Sequence, residues 1–219
     1  MASNDTTEHT KYHNSLGVEV PSCTTIVKLL DKPELVGWAN YMGFRRIDVS
    51  KYLQLRADYG TACHEIAERY MNGVMMNDYA EYEQYMSIEE YNEMISKVKY
   101  LLTILSSLNL EVVSTELQMH GERFGGTLDL LCRNVETGEF VLLDFKTSKR
   151  MYDSHLIQLG GYSILLEEIY GISVHSIGVI LLSKNEFDKN FLNLRKREDN
   201  KKNEQIFSRL LDIYWLQKD

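Results

Sequence analysis

The sequence predicts an α/β fold in which helices flank a mixed central β-sheet, built from a three-stranded meander plus a further strand. Two observations lead to this fold class. Apolar residues recur at helical spacing through the first half of the chain, whereas the second half opens with short runs rich in Val, Leu and Phe that Gly or Asn clusters separate. A helical segment, an apolar strand and a last helical segment then follow, and this alternation is typical of α/β proteins.

The first half of the chain contains four predicted helices. Apolar residues at helical spacing after Thr24 are interrupted by Pro33, which favours two short helices joined near Lys32 and Pro33. Longer helices are predicted over 52–71 and 88–108, where one stripe of apolar residues marks the face that each helix buries.

The second half begins with three predicted strands, over 111–119, 127–132 and 140–146. Gly125–Gly126 and residues 134–138 are the expected turns between them, which makes these strands a meander. The elements after the meander are a helix, a buried strand and an amphipathic helix, over 154–170, 174–182 and 204–216.

The composition is that of a packed globular protein. The chain has 219 residues, of which 44% are hydrophobic and 11% aromatic, and this length is ordinary for one core. Residues 1–20 are polar without an apolar period, so we expect a flexible N-terminal tail there. Residues 21–219 are expected to form a single domain.

The cysteines and the hydropathy of the chain argue against several kinds of site and segment. The three cysteines, Cys23, Cys63 and Cys132, are far apart and odd in number, which supports neither a disulfide framework nor a thiolate zinc site nor an iron–sulfur cluster. The N-terminal segment lacks the apolar core of a signal peptide, and no later stretch is long enough to span a bilayer. We expect a cytoplasmic protein with no membrane partner.

The formal net charge of −8 argues against a nucleic-acid partner, because DNA-binding surfaces are usually basic. The charges are unevenly placed, however, since residues 184–202 contain seven Lys and Arg. A local basic surface can coexist with an acidic total, and divalent metals require carboxylates. The stretch 184–202 is therefore a candidate DNA-contacting segment, although such a run is more often simply a solvated surface.

Two charged residues end the apolar run of 140–146. Asp144 and Lys146 are two positions apart, and side chains at that spacing share one face of a strand. Alone, the pair is much better explained by a solvated ion pair at a strand end. The preceding strand adds Asp129 among apolar residues, and the tight turn between the strands lets Asp129 and Asp144 converge on one cation. A metal keeps both carboxylates ionised without mutual repulsion.

Two helical pairs add candidate residues. His64 and Glu68 are four residues apart and share one helical face, and a neutral imidazole is a competent ligand for Mn²⁺ and tolerable for Mg²⁺. Gln158 and Tyr162 have the same spacing on the helix after the Asp144 strand, where they could donate hydrogen bonds to a phosphate or simply pack on the sheet. The glycine pair 160–161 between them indicates a place where another backbone comes near.

In this order, the residues resemble the PD-(D/E)XK nuclease superfamily and its RecB-type exonuclease branch, which includes phage-encoded exonucleases. The resemblance covers about 24–182. Its pieces are the helix with Leu35, Trp38 and Ala39, Gly60-Thr61 followed by His64 and Glu68, the strand around Glu116, Gly126-Thr127-Leu128-Asp129, Asp144-Phe145-Lys146-Thr147-Ser148, and Gln158 with Tyr162. Three scattered cysteines imply a subgroup without an iron–sulfur cluster.

This resemblance implies a restriction-endonuclease-like core and a role for each residue. His64, Asp129, Asp144 and the carbonyl of Phe145 would bind Mg²⁺ or Mn²⁺, and Lys146 would orient or deprotonate the attacking water. The supporting residues would be Gln158 and Tyr162, which would brace the site or touch DNA, with Glu68 and Glu116 as outer members.

The expected function is that of a metal-dependent DNA exonuclease in replication, recombination or repair. It would act on DNA ends or single strands, with recombination or replication proteins as partners, and a phage-encoded enzyme in a bacterial host fits the resemblance. The alternatives are a structure-specific or nicking endonuclease, and a non-catalytic binding module for nucleic acid or protein on the same fold.

Overall fold

A five-stranded mixed β-sheet flanked by helices forms the centre of the protein. The computed structural model describes residues 10–30, 33–74, 79–183 and 191–218. Its strands are β1 (Tyr12–His13), β2 (Glu19–Val20), β3 (Leu110–His120), β4 (Gly125–Asn134), β5 (Phe140–Lys146), β6 (Val174–Leu181) and β7 (Leu192–Lys196). Its helices are α1 (Cys23–Val27), α2 (Glu34–Phe44), α3 (Val49–Met71), α4 (Ile88–Ser107), α5 (Asp153–Tyr170) and α6 (Arg197–Leu216).

The sheet has the strand order β3-β4-β5-β6-β7. The first three strands are an antiparallel meander, and α5 then leads to β6, which runs parallel to β5. The predicted α/β class, with a meander and a further strand, is therefore confirmed. Strand β7 pairs antiparallel with β6 and was not predicted.

Apolar clusters cover both faces of the sheet. On one face, α1, α5 and α6 pack on residues that include Leu128 and Leu142. On the other, α3 and α4 pack on residues that include Leu130 and Leu143. Because Leu142 and Leu143 are neighbours in β5, they point to opposite faces, as the two-residue period of a strand requires. The result is a helix–sheet–helix sandwich.

Two helices begin earlier than the apolar pattern predicts. Helix α3 starts at Val49 rather than near residue 52, because the side chain of Asp48 accepts a hydrogen bond from the backbone N–H of Lys51 and caps the first turn. Helix α6 starts at Arg197 rather than near residue 204. Its added first turns contain few apolar residues, so hydrophobic periodicity alone does not detect them.

The prediction of a flexible tail over 1–20 is wrong for residues 10–20. Tyr12 and His13 pair with Val20 and Glu19 in a short hairpin. The ring of Tyr12 is buried, and its hydroxyl lies 2.8 Å from Oγ1 of Thr127 on β4. A few buried apolar contacts thus fix a segment whose composition is polar. The other residues of that prediction, 1–9, lie outside the described residues.

The predicted turn at Gly125–Gly126 is also wrong, because both glycines belong to β4. A Cβ on Gly125 would lie 2.5 Å from the side chain of Tyr12, and one on Gly126 would lie 2.6 Å from the ring of Tyr162. These glycines therefore make room for aromatic rings. The turn before β4 is closed by the N–H of Gly121, which donates to the carbonyl of Phe124.

Other local predictions are confirmed. The turn over 134–138 is closed by a hydrogen bond from the N–H of Gly138 to the carbonyl of Asn134. Another backbone does come near the glycine pair of α5, since a Cβ on Gly160 would lie 3.0 Å from the backbone nitrogen of Glu204 on α6.

The basic stretch 184–202 is described only in part. Residues 184–190 lie outside the described residues, and the rest contributes β7 and the start of α6. In the described part of the chain, no helix has both the length and the apolarity needed to cross a bilayer.

Candidate metal centre

Three carboxylates lie side by side across the three strands of the meander. Glu116 of β3 and Asp129 of β4 stand opposite each other between the pairs Thr115–Leu130 and Leu117–Leu128. The β4–β5 ladder ends at Leu130–Leu143, and its continuation sets Asp129 opposite Asp144. We call Glu116, Asp129 and Asp144 the carboxylate row. The hairpin predicted the neighbours Asp129 and Asp144, whereas Glu116 joins them through the register of β3.

Strand β4 is irregular at this level. Leu128 and Leu131 pack in the cluster with α5, whereas Leu130 and Cys132 pack in the cluster with α3 and α4. Strict alternation would place Leu128 and Leu130 on the same face, so the alternation is interrupted at Asp129. The interruption directs the Asp129 side chain toward β5 instead of into either apolar cluster.

Asp129 is held by hydrogen bonding and charge. Its Oδ2 accepts a 2.6 Å hydrogen bond from the backbone N–H of Phe145, and its Oδ1 lies 3.4 Å from Nδ1 of His64. Burial raises the pKa of Asp129, but His64, Lys146 and the Phe145 N–H together outweigh burial and hold that pKa below its usual value. Asp129 is therefore ionised at neutral pH.

Asp144 and Lys146 project from the same face of β5, as their spacing predicted. Lys146 Nζ is 2.5 Å from Asp144 Oδ2, and the Asp144 residue is only 2% exposed. The Lys146 ammonium is thus the close partner of Oδ2 in a short ion pair. This pairing offsets part of the cost of burying the Asp144 carboxylate.

The ionisation of this pair reflects the surplus of negative charge. Burial and the neighbouring Asp129 raise the pKa of Asp144 to about 6, against the opposing effect of Lys146. Burial lowers the pKa of Lys146, but Asp144 and Asp129 raise it by more, so the ammonium remains charged.

His64 reaches the row from the helix layer. It lies on α3, and its ring packs edge-on against the ring of Phe145 with centroids 5.7 Å apart. One turn earlier, a Cβ on Gly60 would lie 3.5 Å from Oγ1 of Thr147, which shows how near α3 passes to the end of β5. Burial lowers the pKa of His64, but the Asp129 carboxylate raises it by more. Asp129 thus orients the imidazole through Nδ1.

Glu116 has an unusual backbone for a residue within a strand. Its φ of 45° lies in the left-handed region, which costs a non-glycine residue on the order of 1 kcal/mol or more. Burial and the nearby Asp129 raise the pKa of its carboxyl group to about 7. Strain and a perturbed pKa at one position are typical of functional sites.

His64, Glu116 and Asp129 could hold a metal ion, because one ligand atom from each lies within 4.8 Å of the others. Two further groups face this point. Asp144, which is paired with Lys146, follows Asp129 in the carboxylate row, and the carbonyl of Phe145 points to the same side of β5 as the N–H that binds Asp129. Carboxylate and carbonyl oxygens with one imidazole suit a hard or borderline divalent cation.

The remaining predicted residues surround the centre. Glu68, one turn after His64 on α3, is half-buried and contributes to the raised pKa of Glu116. Gln158 donates hydrogen bonds to the Tyr162 hydroxyl at 2.8 Å and to Oγ1 of Thr24 at 3.3 Å. Gln158 and Tyr162 therefore brace each other beside the sheet.

Two residues have a larger part in this arrangement than the sequence indicated. Glu116 was expected in an outer position, yet its carboxylate lies with those of the closest candidate ligands. Counting back from Asp129 along the hairpin of β3 and β4 could have found it. Thr24, which contacts Gln158 from α1, has no signal in the sequence pattern, because the contact joins residues 134 positions apart.

No family model and no curated protein matches the chain. A solved structure titled "Crystal structure of SSO0001" aligns with 76% of this chain and 87% of that chain, at 13% sequence identity and a TM-score of 0.31. A similarity of this size carries no functional argument, so the chemistry of the carboxylate row is the basis for a function.

Proposed function

We propose that this protein is a divalent-metal-dependent nuclease that hydrolyses DNA phosphodiester bonds, acting as an exonuclease on DNA ends or single strands. The proposal includes a restriction-endonuclease-like core and membership of the RecB-type branch of the PD-(D/E)XK superfamily that lacks an iron–sulfur cluster. The observation that carries it is the carboxylate row together with His64 and Lys146.

The charges of the centre support metal-dependent chemistry. The three carboxylates lie near one ammonium and one imidazole, which leaves a surplus of negative charge. His64, the carboxylate row and the carbonyl of Phe145 would hold Mg²⁺ or Mn²⁺. Such an ion supplies charge neutralisation at a phosphate and activation of water. Apart from these two effects, phosphodiester hydrolysis needs only a positioned proton acceptor and a fixed positive charge.

The residues around the proposed ion would supply the other groups that the reaction needs. Lys146 keeps its ammonium group beside Asp144, where it would orient the attacking water and neutralise charge that develops on the phosphate. Gln158 and Tyr162, which are hydrogen-bonded to each other, would support the site or contact the DNA strand. Glu68 would act through water from the edge of the centre.

The test is cleavage of end-labelled single-stranded and double-stranded DNA with Mg²⁺ or Mn²⁺, and with EDTA. The wild-type protein should cut only with the metal. Asp144→Asn should lose cleavage by at least about 100-fold, since it removes a group that holds charge in the transition state. Asp153→Asn is the matched control, because it changes an exposed aspartate at the start of α5. Full activity in Asp144→Asn would overturn the proposal.

Two further measurements separate the proposed exonuclease from the alternatives. A closed circular DNA should resist the enzyme until a nick supplies an end, and cutting of the intact circle would identify an endonuclease instead. Calorimetric titration with Mn²⁺ should show binding by the wild-type protein and weaker binding by Asp129→Asn. A protein that binds no divalent metal would be a non-catalytic module.

A further inference from the structure

A cleft opens beside the carboxylate row. Its volume is about 870 Å³, within the range of about 300–1,000 Å³ that ligand pockets occupy. Glu116 and Tyr162 line it, so it is continuous with the candidate metal centre. Its other walls come from the hairpin of β1 and β2, from α1, and from the end of α6. A molecule that reaches the metal centre through the cleft must therefore pass these walls.

The residues that line the cleft include lysines, although the neighbouring carboxylate row is acidic. Lys28 after α1 and Lys218 after α6 are exposed lining residues, whereas the lining residue Lys11 is paired with Glu19 at 3.3 Å. In a chain with a net charge of −8, lysines at this place offer positive charge where a backbone phosphate would lie.

Two aromatic side chains stand at the α6 end of the cleft. Tyr214 and Trp215 line it, with ring centroids 5.6 Å apart and planes nearly perpendicular. The indole N–H of Trp215 donates to the carbonyl of Arg123, and Arg123 is itself paired with Asp212 on α6 at 2.9 Å. Trp215 is only half-buried, so a ring held in a fixed orientation keeps part of its surface open to the cleft.

We propose that this cleft binds one or two unpaired nucleotides next to the scissile phosphate, with a base stacked on Trp215 and backbone phosphates beside Lys28 and Lys218. The inference rests on the proposed nuclease function and assigns the substrate's position. Stacking on a side-chain ring requires an unpaired base, and an aromatic platform with flanking cations is the chemistry that recognises single strands without sequence preference. A paired end would have to fray before it entered.

The test uses the fluorescence of Trp215. The chain has two tryptophans, and Trp38 stacks beside Tyr52 between α2 and α3, so Trp38→Phe leaves Trp215 as the reporter. A second substitution in the same protein, Lys146→Met, should prevent cleavage of the DNA, so that binding can be measured with Mn²⁺ present. A four-nucleotide oligodeoxyadenylate should quench Trp215, and a G·C-rich blunt duplex long enough to stay paired at the assay temperature should quench it less.

Charge reversal then locates the phosphates. Lys28→Glu and Lys218→Glu should each weaken oligonucleotide binding about 5-fold and raise the KM for cleavage by the active enzyme with little change in kcat. The matched control is Lys51→Glu, an exposed lysine of α3 that lies outside the basic stretch 184–202 and does not line the cleft. Circular dichroism would verify that each variant is folded.

The outcomes distinguish this inference from the proposed function. If wild-type protein cuts DNA but Trp215 does not respond, and the variants at Lys28 and Lys218 behave like Lys51→Glu, the cleft assignment is wrong and the nuclease stands. If no DNA is cut but quenching depends on Lys28 and Lys218, the cleft assignment stands and the nuclease fails. Equal quenching by the blunt duplex would overturn the requirement for unpaired nucleotides.

Discussion

Two buried lysines in this protein have contrasting surroundings. Lys97 of α4 has a side chain only 8% exposed, and its Nζ lies 2.6 Å from Glu93 and donates to the carbonyl of Leu182 at 2.7 Å. Lys146 of β5 is 19% exposed and lies against Asp144, with Asp129 nearby. Both ammonium groups are paired, so burial of a lysine does not by itself indicate a functional site.

The surroundings of Lys97 and Lys146 differ in their balance of positive and negative charge. Lys97 meets one carboxylate, and that carboxylate is half-exposed and well solvated. At the candidate metal centre the carboxylate row outnumbers the charges that Lys146 and His64 provide, and the pKa values of Glu116 and Asp144 rise to about 7 and about 6. A structural ion pair is complete as it stands, whereas the carboxylate row has capacity for a further cation.

The same substitution at both lysines gives the largest expected contrast. Lys146→Met should reduce DNA cleavage by at least about 100-fold, because the ammonium no longer steadies the charge that develops on the phosphate. The measurement is the single-turnover cleavage rate at saturating Mn²⁺, expressed per folded molecule. A rate within about 3-fold of the wild type would place the catalytic charge elsewhere.

Glu116→Gln should stabilise the metal-free protein at high pH. The pKa of Glu116 is raised from 4.5 to about 7, so folding disfavours its ionised form. The free energy of unfolding therefore falls as the pH rises from about 4.5 to about 7, and the loss is complete above that range. The variant avoids this loss and should be more stable at pH 8 by up to about 3 kcal/mol, with little difference at pH 4.

Denaturant unfolding in EDTA measures this effect, and Mn²⁺ should reverse it, since the wild-type protein gains more from the ion than the variant does. Glu111→Gln is the control, because it changes an exposed glutamate on the same strand. A Glu116→Gln protein no more stable than the wild type at pH 8 would show that the row does not strain the fold.

Lys97→Met should affect stability and not catalysis. It removes a hydrogen bond to the Leu182 carbonyl and leaves Glu93 without its cation, which should lower the free energy of unfolding by about 1–3 kcal/mol. The cleavage rate per folded molecule should stay at the wild-type value. Loss of that rate in a folded variant would contradict the separation of the two lysines.

The smallest expected effects are changes in stability caused by two glycine-to-alanine substitutions, one in α5 beside the candidate metal centre and one in α2. A Cβ on Gly161 would lie 2.6 Å from the ring of Phe207 and 2.7 Å from the thiol of Cys23, so Gly161→Ala should cost about 1–3 kcal/mol. A Cβ on Gly37 of α2 meets no atom within 4 Å, so Gly37→Ala should add about 0.5–1 kcal/mol through helix propensity. Thermal denaturation of both variants measures the difference.

Elements with a strong apolar period could be predicted from the sequence, and those without one could not. Strand β5 has its predicted bounds, and helices α4 and α5 differ by about one residue at an end. Strand β7 was missed because it is an edge strand, Leu192–Lys196, in which two of the five residues are basic and three are exposed. The β1–β2 hairpin was missed because two buried side chains fix it.

The candidate site, too, could be predicted only where local spacing along the sequence determines it. Local spacing predicts that Asp144 and Lys146 share a face, and a tight hairpin predicts that Asp129 lies beside Asp144. The position of Glu116 opposite Asp129 follows from the register of the β3–β4 hairpin, but its left-handed backbone has no composition signature. The approach of His64 depends on how α3 packs on the sheet, which follows from the whole core and not from its own helix.

The hairpin of β1 and β2 also bears on how this chain can be shortened. Because the N-terminal segment is polar, composition alone would place a truncation boundary near residue 21. Such a protein would lose the Tyr12 ring that covers Gly125 and the hydroxyl that meets Thr127. Bare β4 backbone would then face solvent next to the carboxylate row. A shortened protein that is folded but inactive would thus reflect the missing hairpin wall, and not a missing catalytic group.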